Sequence, residues 1–364
     1  MKKALSLLTA VMMVVGCLAS CAKKSDKVDI GLILTEKSMI NDGNFNQSAW
    51  EGIQLYAEQN DLTYRYYQPD NKSEEFYLKA VEVAVDDGVS VLVTLGHEFA
   101  TSLFIAQEQY PHVNFILIDG TPNNGKYDSE YFEEKITPNA YSVLFADEQA
   151  GFLAGYAIVK DGFRNLGFIG GRAVPAVVAY GYGFVQGAEF AAKELGLVPG
   201  EVTIKYDYSG DFSPTPETQA KTSSWYNDGV EVIFAAGGGM GYSVMQAAQS
   251  IEGKWVIGAD KDQSVDSPTI ITSAKKMIAR AVYLAIESYY QGNFPGGQIR
   301  YYSTSDGGSD LEMENAKFRS FSVAEYERIY NMLATDENGI ASSIVTDTAV
   351  NPSELPCEYV IVEV

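Results

Sequence analysis

The sequence predicts an α/β protein built as two doubly wound lobes that face each other across a cleft. Three observations carry that expectation. From Val28 onwards, short β-branched apolar runs alternate with longer stretches of helical period, the pattern of parallel βαβ units. The pattern breaks around Gly120–Ala140, where Gly, Pro, Asn and charged residues replace the apolar runs, and a second set of the same kind then begins. Finally, the chain has 364 residues, a length that usually divides into two domains.

At the N-terminus, Lys2 and Lys3 precede the apolar run Ala4–Gly16, and Leu18-Ala19-Ser20-Cys21 follows, which is the pattern of a bacterial lipoprotein signal. The run falls well short of the ~20 residues that a helix needs to cross a bilayer. Residues 1–20 are therefore expected to be a cleaved signal, Cys21 the acylated new N-terminus, and 21–27 a polar tether to the membrane surface. Val14-Val15-Gly16-Cys17 offers Cys17 as the alternative lipidation site.

The first lobe reads as strands at Val28–Leu34, Leu62–Tyr67, Ser90–Leu95 and Val113–Asp119, with helices at Gln47–Gln59, Glu74–Asp86 and Phe99–Gln109 between them. The second reads as helix Asp147–Lys160, strand Asn165–Gly170, helix Tyr180–Leu195, strand Val202–Tyr208 and helix Pro216–Asp228. Strand Val232–Ala236, helix Tyr242–Ser250 and strand Trp255–Asp260 complete it. The lobes share an architecture without close sequence repetition.

Charge and cysteine content exclude several classes of function. Removing residues 1–20 takes away two lysines and no acid, so the formal charge of −22 becomes −24. Nucleic acids and anionic lipid surfaces need clustered Lys and Arg, and are disfavoured as partners. With Cys21 acylated, Cys357 is the one thiol left after the signal, so the fold must stand on its core without a disulfide.

The chemistry of an enzyme is not evident. His97 and His112 have no Cys/His cluster around them, which disfavours a zinc or iron site, and no Gly-x-Ser-x-Gly elbow occurs. Gly237-Gly238-Gly239-Met240-Gly241 lies between a strand and a helix, but it lacks the Gly-Lys-Ser/Thr of a phosphate loop, and Tyr242 replaces the last glycine of a dinucleotide loop. The glycines there either let a neutral ligand approach the backbone or simply make the turn. No cofactor is expected.

Open α/β sheets bind ligands beyond the carboxyl ends of their strands, so the loops after the strands are the places to search. In Asn41–Ser48 the polar groups of Asp42 and Asn46 are either ligand contacts or turn and cap residues, whereas Phe45 has no evident core to enter and offers a flat face to a ring. His97 falls in the Gly96–Phe99 loop. Asp119 and Asp260 each end an apolar strand, where a carboxylate either reaches the cleft and suits donor-rich ligands such as sugars or nucleosides or caps the next turn. Gly181-Tyr182-Gly183-Phe184 reads as flexible glycines before an aromatic; Phe184 either faces the cleft opposite Phe45 or begins the apolar face of a helix.

Several segments together resemble one family. They are Asp42–Gly52, Asp147–Ala157, Gly167–Gly171, Gly183–Ala188, Ile257–Gln263 and Thr272–Lys276, in that order along most of the chain. The series is similar to the basic membrane protein family of ABC-transporter substrate-binding lipoproteins, which includes a purine nucleoside receptor of spirochaetes. The resemblance implies a type I periplasmic-binding-protein fold whose chain crosses between lobes three times, near Phe145, near Val265–Ile270 and after Tyr302. Lobe 1 would be 28–144 plus 268–305, including a helix Ala274–Gln291, and lobe 2 would be 145–267 plus 306–364.

It also implies a monomeric receptor outside the cytoplasm, held to the cell membrane by lipid alone, that delivers a nucleoside, a purine in the narrower expectation, to an ABC permease and its ATPase subunits. Phe45 and Phe184 would stack on the base, Asn46 and Asp119 would read its polar edge, Asp260 and Lys276 would hold the ribose, and Gly237 would offer its backbone to the sugar. Asp42 and His97 complete the candidate contacts. A sugar-binding protein or a ligand sensor is the alternative.

Overall fold

The structure, a computed structural model, describes residues 27–364 apart from 37 and 128. The expected signal, Cys21, its alternative Cys17 and all but the last residue of the tether lie outside the described residues.

The chain enters through β1 (Ile30–Ile33), α1 (Phe45–Gln59), β2 (Tyr64–Tyr67), α2 (Glu74–Asp86), β3 (Val91–Leu95), α3 (Ala100–Gln109), β4 (Asn114–Ile118) and β5 (Ala140–Phe145). It continues through α4 (Asp147–Lys160), β6 (Asn165–Gly170), α5 (Pro175–Leu195), β7 (Val202–Tyr208), α6 (Pro216–Asn227), β8 (Val232–Ala236), α7 (Gly241–Gln249), β9 (Trp255–Asp260) and β10 (Ile270–Lys276). The last elements are α8 (Ile278–Tyr290), β11 (Gln298–Tyr302), β12 (Ser309–Leu311), α9 (Val323–Ala334) and β13 (Val360–Glu363).

Two sheets result. Lobe 1 carries the order β11-β5-β4-β3-β1-β2, with every pair parallel. Lobe 2 carries β12-β10-β9-β8-β6-β7-β13, parallel except for the antiparallel edge strand β12. Central strands such as β3 and β8 are buried along their whole length, because helices cover both faces, and this is why they read as continuous apolar runs rather than alternating ones. Each lobe accordingly has a core on each side of its sheet.

The chain passes between the sheets after Phe145, after Lys276 and after Tyr302. The three links run side by side: Ala146 N–H donates to Tyr302 O at 2.8 Å, Met277 N–H to Gly308 O at 3.0 Å, and Thr304 Oγ1 to Gln149 Oε1 at 2.7 Å.

Two expectations are corrected. The second crossover lies some residues later than 265–270, since Ile270–Lys276 is a strand of lobe 2, pairing Ala274 with Ala259 and Lys275 with Asp260. Its β-branched start, Ile270-Ile271-Thr272, favours extension, so the helix expected from Ala274 begins at Ile278. The segment around Gly181 is also not a loop. Helix α5 starts five residues before Tyr180, with Pro175 in its first turn, and runs through both glycines. Those glycines serve packing: a Cβ on Gly181 would lie 2.1 Å from the Tyr206 hydroxyl and one on Gly183 2.0 Å from Glu148 O, while on the facing helix one on Gly151 would lie 2.2 Å from Tyr180 O. Helices α4 and α5 thus approach backbone to backbone, and Phe184 points into the lobe 2 core.

Candidate functional site

The carboxyl ends of the strands from both lobes converge on one cavity with about 820 Å³ of space free of protein atoms, part of it open to solvent. That lies within the ~300–1,000 Å³ usual for small-molecule sites. Asp42, Phe45, Asn46, His97, Asp119, Gly237, Asp260 and Lys276 all line it. Phe184 does not: its ring is fully buried and lies 5.4 Å from the ring of Phe234. The aromatics that lobe 2 does bring to the cavity are Phe212, in the loop after β7, and Tyr180 on α5.

The floor is an ionic cluster at the lobe junction. Lys276 Nζ lies 2.6 Å from Asp119 Oδ2, 3.0 Å from Asp147 Oδ1 and 3.2 Å from Asp260 Oδ1. The contact to Asp147 is an ion pair by distance whose angles fall outside hydrogen-bond geometry. Tyr180 donates its hydroxyl to Asp260 Oδ1 at 3.2 Å, and the ammonium lies 5.2 Å from the centre of the Phe45 ring and 5.3 Å from that of Tyr180.

Burial opposes charge on Lys276, but the attraction of Asp119, Asp147 and Asp260 outweighs it and holds the ammonium well above the ordinary lysine pKa. For Asp119 and Asp147 burial dominates and raises the carboxyl pKa, with Lys276 pulling the other way. Through Lys276, Asp119 and Asp260 share one end of the cavity. Asp119 and Asp260 share one backbone device, a left-handed residue at the strand end with φ of 55° and 66°, which aspartate tolerates better than most side chains.

Asp42 closes the N-terminus of α1. Its Oδ1 accepts from Asn44 N–H at 2.9 Å and Gln47 N–H at 3.0 Å, and its Oδ2 from Asn46 N–H at 3.1 Å. Burial nevertheless pushes its carboxyl up to about 6, with the three N–H groups acting against the rise and the nearby charge of Asp260 adding to it. Asn46 Nδ2 donates to Met39 O at 3.1 Å. His97 Nε2 lies 3.2 Å from Tyr127 Oη, and burial lowers the imidazole pKa, favouring the neutral ring. Gly237 lies so close to the end of the neighbouring strand β6 that a Cβ would meet Gly171 N at 2.7 Å, and the left-handed turn falls on Gly238 at φ 56°.

The lobes are shut over this cavity. Gln263 Nε2 donates to Gly43 O at 3.2 Å, Lys261 pairs with Glu51 at 3.0 Å, and Arg172 pairs with Glu98, each tie joining lobe 2 to lobe 1. Among the described residues no group of His, Cys, Asp and Glu is arranged to hold a metal ion, and no helix is long and apolar enough to cross a membrane.

Sequence reasoning passed over Phe212, Tyr180, Asp147 and Arg172. For Phe212 the signal was available: Ser209-Gly210-Asp211-Phe212 is a polar loop with an aromatic after a strand, the same pattern that singled out Phe45.

Comparison with known proteins agrees with this architecture. The Bmp family model, described as "ABC transporter substrate-binding protein PnrA-like", matches residues 30–343. The nucleoside-binding protein BmpA of an ABC transporter of Lactococcus lactis is 29% identical over 335 residues, covering 85% of this chain and 90% of that one. Basic membrane protein B of Borreliella burgdorferi is 29% identical over 316 residues, covering 83% and 85%. A solute-binding protein of an ABC transporter system from Aeropyrum pernix superimposes with a TM-score of 0.67 at 21% identity, covering 88% of both chains, and shares the two-lobe fold.

Proposed function

The chain belongs to the Bmp family of PnrA-like ABC transporter substrate-binding proteins, and from that premise we propose that it captures a nucleoside outside the cytoplasm and presents it to a membrane permease and its ATPase subunits. The observation that carries the reading is the composition of one cavity: an aromatic ring from each lobe, Phe45 and Phe212, above a floor of carboxylates and one lysine. A base lies between the rings. Asp42 and Asn46 face its polar edge, and the ribose hydroxyls donate to Asp260 and Asp119 while Lys276 donates to a ribose oxygen.

The floor favours a neutral ligand. Asp119 and Asp260, which line the cavity, outnumber Lys276, so a phosphate would meet carboxylates in a desolvated site, at a cost that a hydroxyl group avoids. Purines fit the narrower reading, because two fused rings cover more of both aromatic faces. The carboxylates need no reaction partner here; binding followed by release is the whole of the chemistry, and the chain is not an enzyme. Cys21 carries the lipid that keeps the monomeric receptor at the membrane, with Cys17 as the alternative position.

Ligand favours the shut form only by its differential affinity for it. The test is isothermal titration of the soluble fragment starting at Ala22, stripped of co-purified ligand, against purine and pyrimidine nucleosides, free bases, nucleotides and simple sugars. One-to-one binding of nucleosides without turnover supports the proposal. Heat from a sugar, with silence towards nucleosides, overturns the ligand while leaving the binding fold in place.

A further inference from the structure

One interlobe tie touches the cavity wall without lying in its charged floor. Glu98 follows His97 at the carboxyl end of β3 in lobe 1, and Arg172 follows β6 in lobe 2; Arg172 Nη1 donates to Glu98 Oε1 across the cleft. Tyr77 Oη supports Glu98 by donating to Oε2 at 3.4 Å. On its own lobe, Arg172 Nε donates to Gly210 O at 3.3 Å, and its guanidinium carbon lies 5.4 Å from the centre of the Phe212 ring. Phe212 and Glu98 both line the cavity. A guanidinium can do this because its donors lie in its plane while its faces remain free to stack, which an ammonium cannot reproduce.

We propose that Arg172 is a positioning residue that couples closure to ring stacking: when the lobes shut, Glu98 engages the edge of the guanidinium, and its face then holds Phe212 in the orientation that meets the ligand. The inference rests on the nucleoside reading only for the identity of the ring that Phe212 covers. With the lobes apart, Arg172 keeps Gly210 and loses Glu98, so the Phe212 loop loses an anchor. Closure therefore both shuts the site and completes one of its two aromatic walls.

The variants are Arg172→Met, Arg172→Lys, Glu98→Gln and the double variant Glu98→Gln with Arg172→Met. Each is measured by titration with a purine nucleoside, by stopped-flow dissociation, and by the unliganded melting temperature. Small-angle scattering of the unliganded protein at low and high salt is added. Arg172→Met and Glu98→Gln each weaken binding roughly threefold to tenfold through faster dissociation, and the double variant is no weaker than Arg172→Met alone. The unliganded melting temperature stays at the wild-type value, which separates positioning from a merely structural role. Wild-type protein expands with salt, whereas Arg172→Met has the expanded dimensions at both salt levels. Arg172→Lys keeps the salt-dependent dimensions but still binds more weakly, because the stacking face is gone.

Unchanged affinity in Arg172→Met, or losses that multiply in the double variant, would overturn the proposal. Silence of the wild-type protein towards all nucleosides would sink the ligand reading alone. The scattering comparison would still decide the latch, since identical salt responses of wild type and Arg172→Met would rule it out.

Discussion

Lys276 and Asp119 meet at 2.6 Å although their strands belong to different sheets: Lys276 ends β10 of lobe 2, and Asp119 follows β4 of lobe 1. The contact places a desolvated ion pair on the boundary that ligand binding must close. Removing one partner of such a pair leaves its counter-charges buried and unmatched.

Lys276→Met is therefore expected to destabilise the protein by ~3–5 kcal/mol and to abolish measurable nucleoside binding. Calorimetric melting and titration check both. A variant as stable as wild type would mean that the carboxylates have shed their charge by taking up protons.

Two aromatic substitutions should part company. Phe45→Ala and Phe212→Ala are each expected to cost ~1–3 kcal/mol of nucleoside affinity, the range for a base stacked on an aromatic ring, with little change in melting temperature. Phe184→Ala should instead lower stability by ~3–5 kcal/mol while the folded protein keeps its affinity, because its ring is packed against Phe234 in the core. Titration and denaturation on all three variants distinguish the roles.

Asp42 sets a pH dependence whose sign follows from its raised value. In the folded protein it titrates at about 6, above its ordinary value of 3.8, so between those limits the folded state binds more protons than the unfolded state. Its contribution to stability is then fully present below the ordinary value and is lost as pH rises through about 6. Relative to Asp42→Asn, wild type should gain up to ~3 kcal/mol on going from pH 7 to pH 4, measured by urea denaturation. Nucleoside affinity should move the other way and weaken as pH falls through about 6, if the carboxylate accepts from the base.

Gly43→Ala tests closure sterically. Its φ is +67°, and a Cβ would lie 2.2 Å from the Tyr242 hydroxyl on the opposite lobe. The variant should fold, bind nucleoside at least ~10-fold more weakly, and show larger dimensions by scattering when ligand is present. Gly43→Ala combined with Tyr242→Phe should recover part of the loss.

Much of this was legible in residue order, and the failures have a common physical cause. Strand-end residues such as Asp119 and Asp260 announce themselves because an apolar run stops on a charge, and Phe45 does so because it stands among polar neighbours. Phe184 misled because Gly-x-Gly reads as a flexible turn, whereas here Gly183 lets α4 and α5 touch and Gly181 leaves room for the rings of Tyr206 and Phe168. Partners on the preceding helix and on strands β6 and β7 explain them. Asp147 was passed over for a related reason: an acid in the first turn of a helix looks like an ordinary dipole complement, and its partner Lys276 is supplied by another strand. The strand β5 escaped notice because it begins where the polar excursion ends, and β10 because the family resemblance assigned its second half to a helix starting at Ala274.

The three links between the lobes carry a mechanical consequence. Three adjacent cords bend more easily about the line they define than they slide or twist past it, which favours opening as a hinge. Asp147 follows the first cord and Lys276 leads into the second, so their ion pair ties together the lobe 2 ends of two cords. Occupancy of the cavity floor is thereby felt at the axis of rotation, where a small displacement swings the distant lips of both lobes by the largest amount.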